Sequence, residues 1–137
     1  MTSLSGLLER LPGRRAARRQ AEAHRTALAQ LDFALAELVL ELKRLSALSQ
    51  TSARDDATAA AKETAATAQV LELLAHGESL ASRLSDREIA AAWQRLAASI
   101  DKARLLGHGP HRATGLMAAA SECERLQQLV DQRLVVS

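Results

Sequence analysis

Five arginines near one end carry the clearest chemical signal in the chain. Arg14, Arg15, Arg18 and Arg19 repeat at i, i+1, i+4 and i+5, with Arg25 following, a spacing that lines guanidinium groups along one side of a helix. Such a row can grip successive phosphates, so the arm suits the backbone of a nucleic acid, in binding that weakens steeply with salt as counterions are released. An anionic membrane surface, with the apolar residues 4–11 beside the arm in the lipid interface, or an acidic protein partner would satisfy the same groups. Stacking of single-stranded bases is nearly excluded, because the chain has one Trp, one Phe and no Tyr. A solvated Arg face reflecting biased composition explains the same residues, since fifteen of the eighteen basic residues are Arg.

Other residues able to do chemistry are sparse. His24, His76, His108 and His111 have no metal-ligand neighbourhood, for the chain holds no H-E-x-x-H, no E-x-x-H and no second cysteine, so neither a metal nor a cofactor is expected. His24 falls on a helix seam as a polar residue in a partly wet layer, His76 stands at a helix end, and His108 and His111 share a loop. Cys123 sits on an inward helix stripe as a small apolar residue, flanked by Glu122 and Glu124, which disfavour a thiolate. No Ser-His-Asp constellation, glycine-rich phosphate loop or catalytic carboxylate pair is present, and alanine-lined helix contacts are expected to leave little room for a pocket. The expectation is a protein that is not an enzyme and takes no small-molecule substrate.

His111 and Gly115, four residues apart, resemble the H-x-x-K-G surroundings of the phosphorylated histidine in histidine-phosphotransfer domains, four-helix bundles of nearly this length. The resemblance implies a phosphorelay role with His111 as phosphoryl acceptor. It covers these two residues alone: Thr114 stands where that family has Lys, and His111 opens the last helix, whereas the family's histidine lies on the second bundle helix.

Helices must position all of these groups. Of 137 residues, 29 are Ala and 24 Leu, against five Val and two Ile, a balance that excludes a sheet protein. Leu4, Leu7, Leu8 and Leu11 form one stripe on a short helix that cannot stand alone, and Pro12-Gly13 is expected to end it. From Arg14 to Ser49, Ala21, His24, Leu28, Leu31, Leu35, Leu38, Leu42 and Leu45 alternate in steps of three and four, a sustained heptad seam. On the opposite side Phe33, Leu40 and Ala47 fall seven apart beside Ala29 and Ala36, so this helix is apolar on two sides and is either central or paired with a second subunit.

A second helix is expected from the Ser52/Asp55 start, with His76-Gly77 as a stop or kink before Leu84. Ser85-Asp86-Arg87-Glu88 reads as a capping box opening a third helix with Ile89, Trp93, Leu96, Ile100 and Ala103 inward. Pro110 or His111 opens a fourth, reaching Leu134, with Leu116, Ala119, Cys123, Leu126 and Val130 inward. At about 1.5 Å per residue the helix from residue 14 to 49 is roughly 54 Å long and the others roughly 32 to 36 Å, so the Arg-rich segment 14–25 must overhang.

The expected architecture is all-α: an antiparallel up-down-up-down four-helix bundle over residues 13–137, with an overlong first helix and a short amphipathic helix over residues 1–12 in front. Net charge is only +2, but residues 1–25 hold six Arg against two Glu, so the positive field sits at one end. A lone cysteine, no apolar run long enough to span a bilayer and no secretory leader make the cytoplasm the default. The functional expectation is a non-enzymatic interaction protein, an adaptor or accessory subunit that meets a protein partner or itself as a homo-oligomer. Its contact residues would be Phe33, Ala36, Leu40 and Ala47, with Leu4, Leu7, Leu8 and Leu11. The alternative is a nucleic-acid-binding accessory bundle that contacts backbone phosphate through Arg14, Arg15, Arg18, Arg19 and Arg25.

Overall fold

The computed structural model describes the backbone of residues 3–50 and 57–136, and the side chains of 13–50 and 57–136. Within them the chain forms α1 (Ser3–Gln50), α2 (Ala57–Ser82), α3 (Arg87–Leu105) and α4 (Pro110–Val136). The Leu seam enters the core from Leu28 onward: Leu28, Leu31, Leu35, Leu38, Leu42 and Leu45 are all buried, each worth about 1.5–3 kcal/mol of transfer free energy. Ala21, earlier on the same seam, is exposed. α1 packs mainly on α4 and also on α2, α3 packs on α4, and α2 meets α3 over a short stretch only.

Cross-helix contacts fix the directions. Arg25 donates to the Leu134 carbonyl, the Cys123 thiol to the Leu35 carbonyl, and Ser46 Oγ to the Ala113 carbonyl at 2.8 Å. Higher numbers on α1 thus meet lower numbers on α4, and the two run antiparallel. Between α3 and α4 the same order holds, from Asp86 with Arg133 to Ser99 with Glu122.

Three expectations at helix boundaries need correction. Helical backbone runs through Pro12 and Gly13 instead of ending there. A proline so placed removes one backbone donor without ending the helix. The side chains of Leu4, Leu7, Leu8 and Leu11 lie outside the described residues. Of the stop and the kink left open at His76-Gly77, the stop falls, because α2 continues to Ser82. Gly77 is a packing notch: a Cβ there would stand 2.2 Å from Trp93 Cη2, so glycine is what makes room for the indole against α2.

The third correction concerns the start of α3, whose N-cap is Asp86 and not Ser85. Its carboxylate accepts from the Glu88 and Ile89 amides at 3.0 and 3.2 Å, and an ionised oxygen is the stronger acceptor for the helix's free N–H groups. At the α3–α4 turn Gly109 adopts φ 144°, a conformation open to glycine, and Pro110 takes the first helical position of α4 as expected.

Candidate interaction surface

α1 carries large apolar side chains on its inner face and, one heptad apart in mid-helix, two more on its outer face; Leu71, Met117, Leu105, Val135 and Val136 are the exposed large apolar residues on the described parts of the other helices. Phe33 and Leu40 are 67% and 68% exposed, while Leu35, Leu38 and Leu42 between and beside them are buried. The heptad spacing explains this: two residues seven apart return to the same side, and the core takes the other side. Ala29 and Ala47 on the outer stripe are exposed and Ala36 is half-buried, so the stripe consists of two large side chains with small ones between. A shallow hollow of about 550 Å³ adjoins its N-terminal end, lined by Arg25, Thr26, Ala29, Gln30, Phe33 and His76.

Preceding this stripe, every described side chain from residue 13 to residue 23 is exposed. Arg14, Arg15, Arg18 and Arg19 make no ion pair among the described residues. Arg25, in contrast, is held to the Leu134 carbonyl at 3.1 Å, where it meets the last turn of α4 and its negative dipole end. His24 is half-buried, while His76 and His111 are exposed.

A polar cluster that sequence reasoning missed lies at the other end. Glu63 on α2 contacts His108 Nδ1 at 2.6 Å and accepts from Arg112 Nη1 at 2.9 Å and Ser49 Oγ at 3.3 Å. Arg112 also donates to the Arg104 carbonyl. The cluster stitches α1, α2, the α3–α4 loop and α4 together. A groove of about 620 Å³ opens beside it along Ala60, Thr64, Thr67 and Leu71. In the first half of α2 Ala66 is buried, but Ala60, Ala61, Ala65 and Ala68 are exposed, and room for a pocket exists where little was expected. No motif spacing signals the cluster, because its members are brought together from four separate segments.

Two carboxylates have altered proton affinity. Burial, then hydrogen bonding and repulsion from Asp131 across the α1–α4 contact, raise Asp32 to about 6, while Gln127 opposes them. Burial also pushes Asp86 upward, but hydrogen bonds from Arg133 and from the Ile89 and Glu88 amides, with the attraction of Arg133, outweigh it and leave Asp86 below the usual carboxylate range. Cys123 is fully buried and its thiol is pushed up to about 12 by burial first and Glu124 second, so it fills space and donates to the Leu35 carbonyl.

Among the described residues no three His, Cys, Asp or Glu side chains are grouped to hold a metal ion, and no helix is long and apolar enough to cross a membrane. Comparison of the chain with protein-family models, with curated proteins and with solved structures gives no match.

Proposed function

We propose that this chain is a non-enzymatic interaction protein, an adaptor or accessory subunit of a larger assembly. It works as an up-down-up-down bundle that presents the outer face of α1 to another protein or to a second copy. The observation that carries the reading is the exposure of Phe33 and Leu40 at 67% and 68% on a helix whose opposite face is the bundle core. Leaving two large apolar side chains in water one heptad apart forgoes burial free energy that a partner helix recovers. Ala36 and Ala47 between and beyond them allow a helix to approach closely.

A second reading, nucleic-acid binding through backbone phosphate, is supported by the exposure of Arg14, Arg15, Arg18 and Arg19 with no ion pair among the described residues. Salt separates the two, because phosphate contacts fade as salt rises while apolar burial persists. The test is the absolute mass of the untagged full chain by light scattering across a salt series, with absorbance at 260 and 280 nm, repeated for the double variant Phe33→Asp/Leu40→Asp and in the presence of an apolar helical peptide. Association with itself or with the peptide that survives salt and disappears in the double variant is expected. Nucleic acid that copurifies, is released by salt and ignores the double variant would move the function to the arm.

A further inference from the structure

The two surface features, the basic arm and the apolar stripe, lie on one seam. Stepping back from Leu40 by sevens meets Phe33, Thr26 and Arg19, and stepping back from Ala36 meets Ala29, Glu22 and Arg15. Residues related by sevens along a helix share a side, so Arg15 and Arg19 continue the line that Phe33 and Leu40 begin. Arg14 and Arg18 border the same line. The outer face of α1 is therefore one surface with two halves, about 50 Å in all, basic over residues 14–25 and mostly apolar over 29–47, where Lys43, next on the line after Ala36, is paired with Glu124. Every described residue named on the line is exposed except Ala36, which is half-buried.

Resting on the reading that this face is an interface, we infer that its occupant is a single amphipathic helix of a different protein, apolar where it faces residues 29–47 and acidic where it faces residues 14–25. Charge decides against a second copy. Two copies of α1 laid parallel set arm against arm and Lys43 against Lys43 of the other copy. Laid antiparallel with Phe33 over Ala36 of the other copy, Arg25 meets Arg44 of that copy, while Arg14, Arg15 and Arg18 pass the end of its α1 at Gln50 and gain no contact with that helix. Like charges facing each other oppose pairing. A nucleic-acid duplex engages the arm alone and leaves Phe33 and Leu40 in water. An anionic bilayer rewards large side chains reaching the acyl boundary, and the apolar half offers two among alanines. An acidic-and-apolar helix is the one occupant that satisfies both halves at once.

The halves have separate kinetic roles. Arg15 and Arg19 steer the acidic half in and set a salt-dependent association rate, whereas Phe33 and Leu40 hold the apolar half and set dissociation. The probe is a synthetic helical peptide of about five heptads, with Leu and Ala at the seam positions of one half and Glu at those of the other. It is made in both orders, acidic half first or last, and with Lys replacing Glu. Fluorescence anisotropy and stopped flow with the full chain then read affinity and rates at low and high salt.

One order of the Glu peptide is expected to bind and the Lys peptide to fail. Arg15→Glu/Arg19→Glu should weaken the Glu peptide roughly tenfold or more, mostly through slower association, and should admit the Lys peptide instead. Phe33→Asp/Leu40→Asp should abolish binding through faster dissociation. All four positions are exposed, so circular dichroism and the thermal midpoint of each variant should match the parent.

Affinity that depends on Phe33 and Leu40 but ignores the arm charges overturns the acidic helix while the interface stands, as does a free-chain dimer broken by Phe33→Asp. Binding of duplex DNA or of anionic phospholipid vesicles through Arg15 and Arg19, with no peptide bound, overturns the inference in favour of that ligand. A monomer that binds none of these probes removes the interface reading itself.

Discussion

Single residues set the local terms of this fold, and three of them give direct tests. Gly77→Ala places a methyl 2.2 Å from Trp93 Cη2, and the indole cannot retreat easily because its N–H is bonded to Glu78. The overlap should cost about 1–3 kcal/mol, more than the roughly 1 kcal/mol that alanine gains over glycine in a helix. Urea unfolding reads the loss, and a midpoint equal to or above that of the parent rules out the notch. Asp86→Ala removes the α3 cap and leaves Arg133 with the exposed Glu88 as its ion-pair partner, lowering stability by about 1–2 kcal/mol near neutral pH. Because folding depresses the Asp86 carboxyl, its contribution is present above the unfolded value near 3.8 and fades as pH falls below it. Asp32 has the opposite sign. Folding raises it to about 6, so its contribution is complete below about pH 4 and is lost as pH rises through 6. Asp32→Asn should therefore stabilise the chain by about 1 kcal/mol at pH 7 and leave it unchanged at pH 3.5. A stability difference that does not vary between those pH values counts against the carboxyl pair. The sequence signals the α3 start through its Ser-Asp-Arg-Glu run, but whether Ser85 or Asp86 caps depends on geometry, and Gly77 reads as a stop because nothing local reveals an indole from another helix.

At the scale of the element, α1 is organised by two seams that carry different loads. Leu35 is buried by α4 and its truncation to Ala should cost about 2–5 kcal/mol. Phe33→Ala/Leu40→Ala should shift the stability of the free chain by less than about 0.5 kcal/mol, because both side chains stay mostly in water on folding. Thermal unfolding of both variants checks the contrast, and a large loss in the outer pair would mean that the outer seam already packs on something within the chain. Both seams were legible from spacing alone, as were the inward stripes of α3 and α4, since Ile89, Trp93, Leu96, Ile100 and Ala103 and the five named positions of α4 are all buried. The alanine-rich first half of α2 was not. Small residues permit close packing but do not compel it, and here the polar contacts of Glu63 with His108, Arg112 and Ser49 fasten the helix in place of apolar burial.

For the whole molecule, the distribution of charge along α1 matters more than its net value of +2. The excess of arginine projects past the bundle on a helix that elsewhere supplies the core, so one rigid element carries both the fold and the exposed seam. The four bundle helices and their order could be read from periodicity, whereas the break expected at Pro12-Gly13 is absent, and the cluster around Glu63 depends on side chains from distant segments and left no pattern in the chain. The single face uniting arm and stripe was present in the sequence as a seven-residue repeat, but its meaning requires knowing that α4 and α2 cover the other side. The outer face of α1 is proposed as the place where another helix docks, and amide hydrogen exchange of the full chain, alone and with the acidic-and-apolar peptide, is the measurement to make. Docking there should slow exchange in the exposed segment 13–25 and at the outer positions of residues 29–47, with the amides of α2, α3 and α4 unchanged. Protection confined to the groove beside Glu63, or no change along α1, would rule that docking face out.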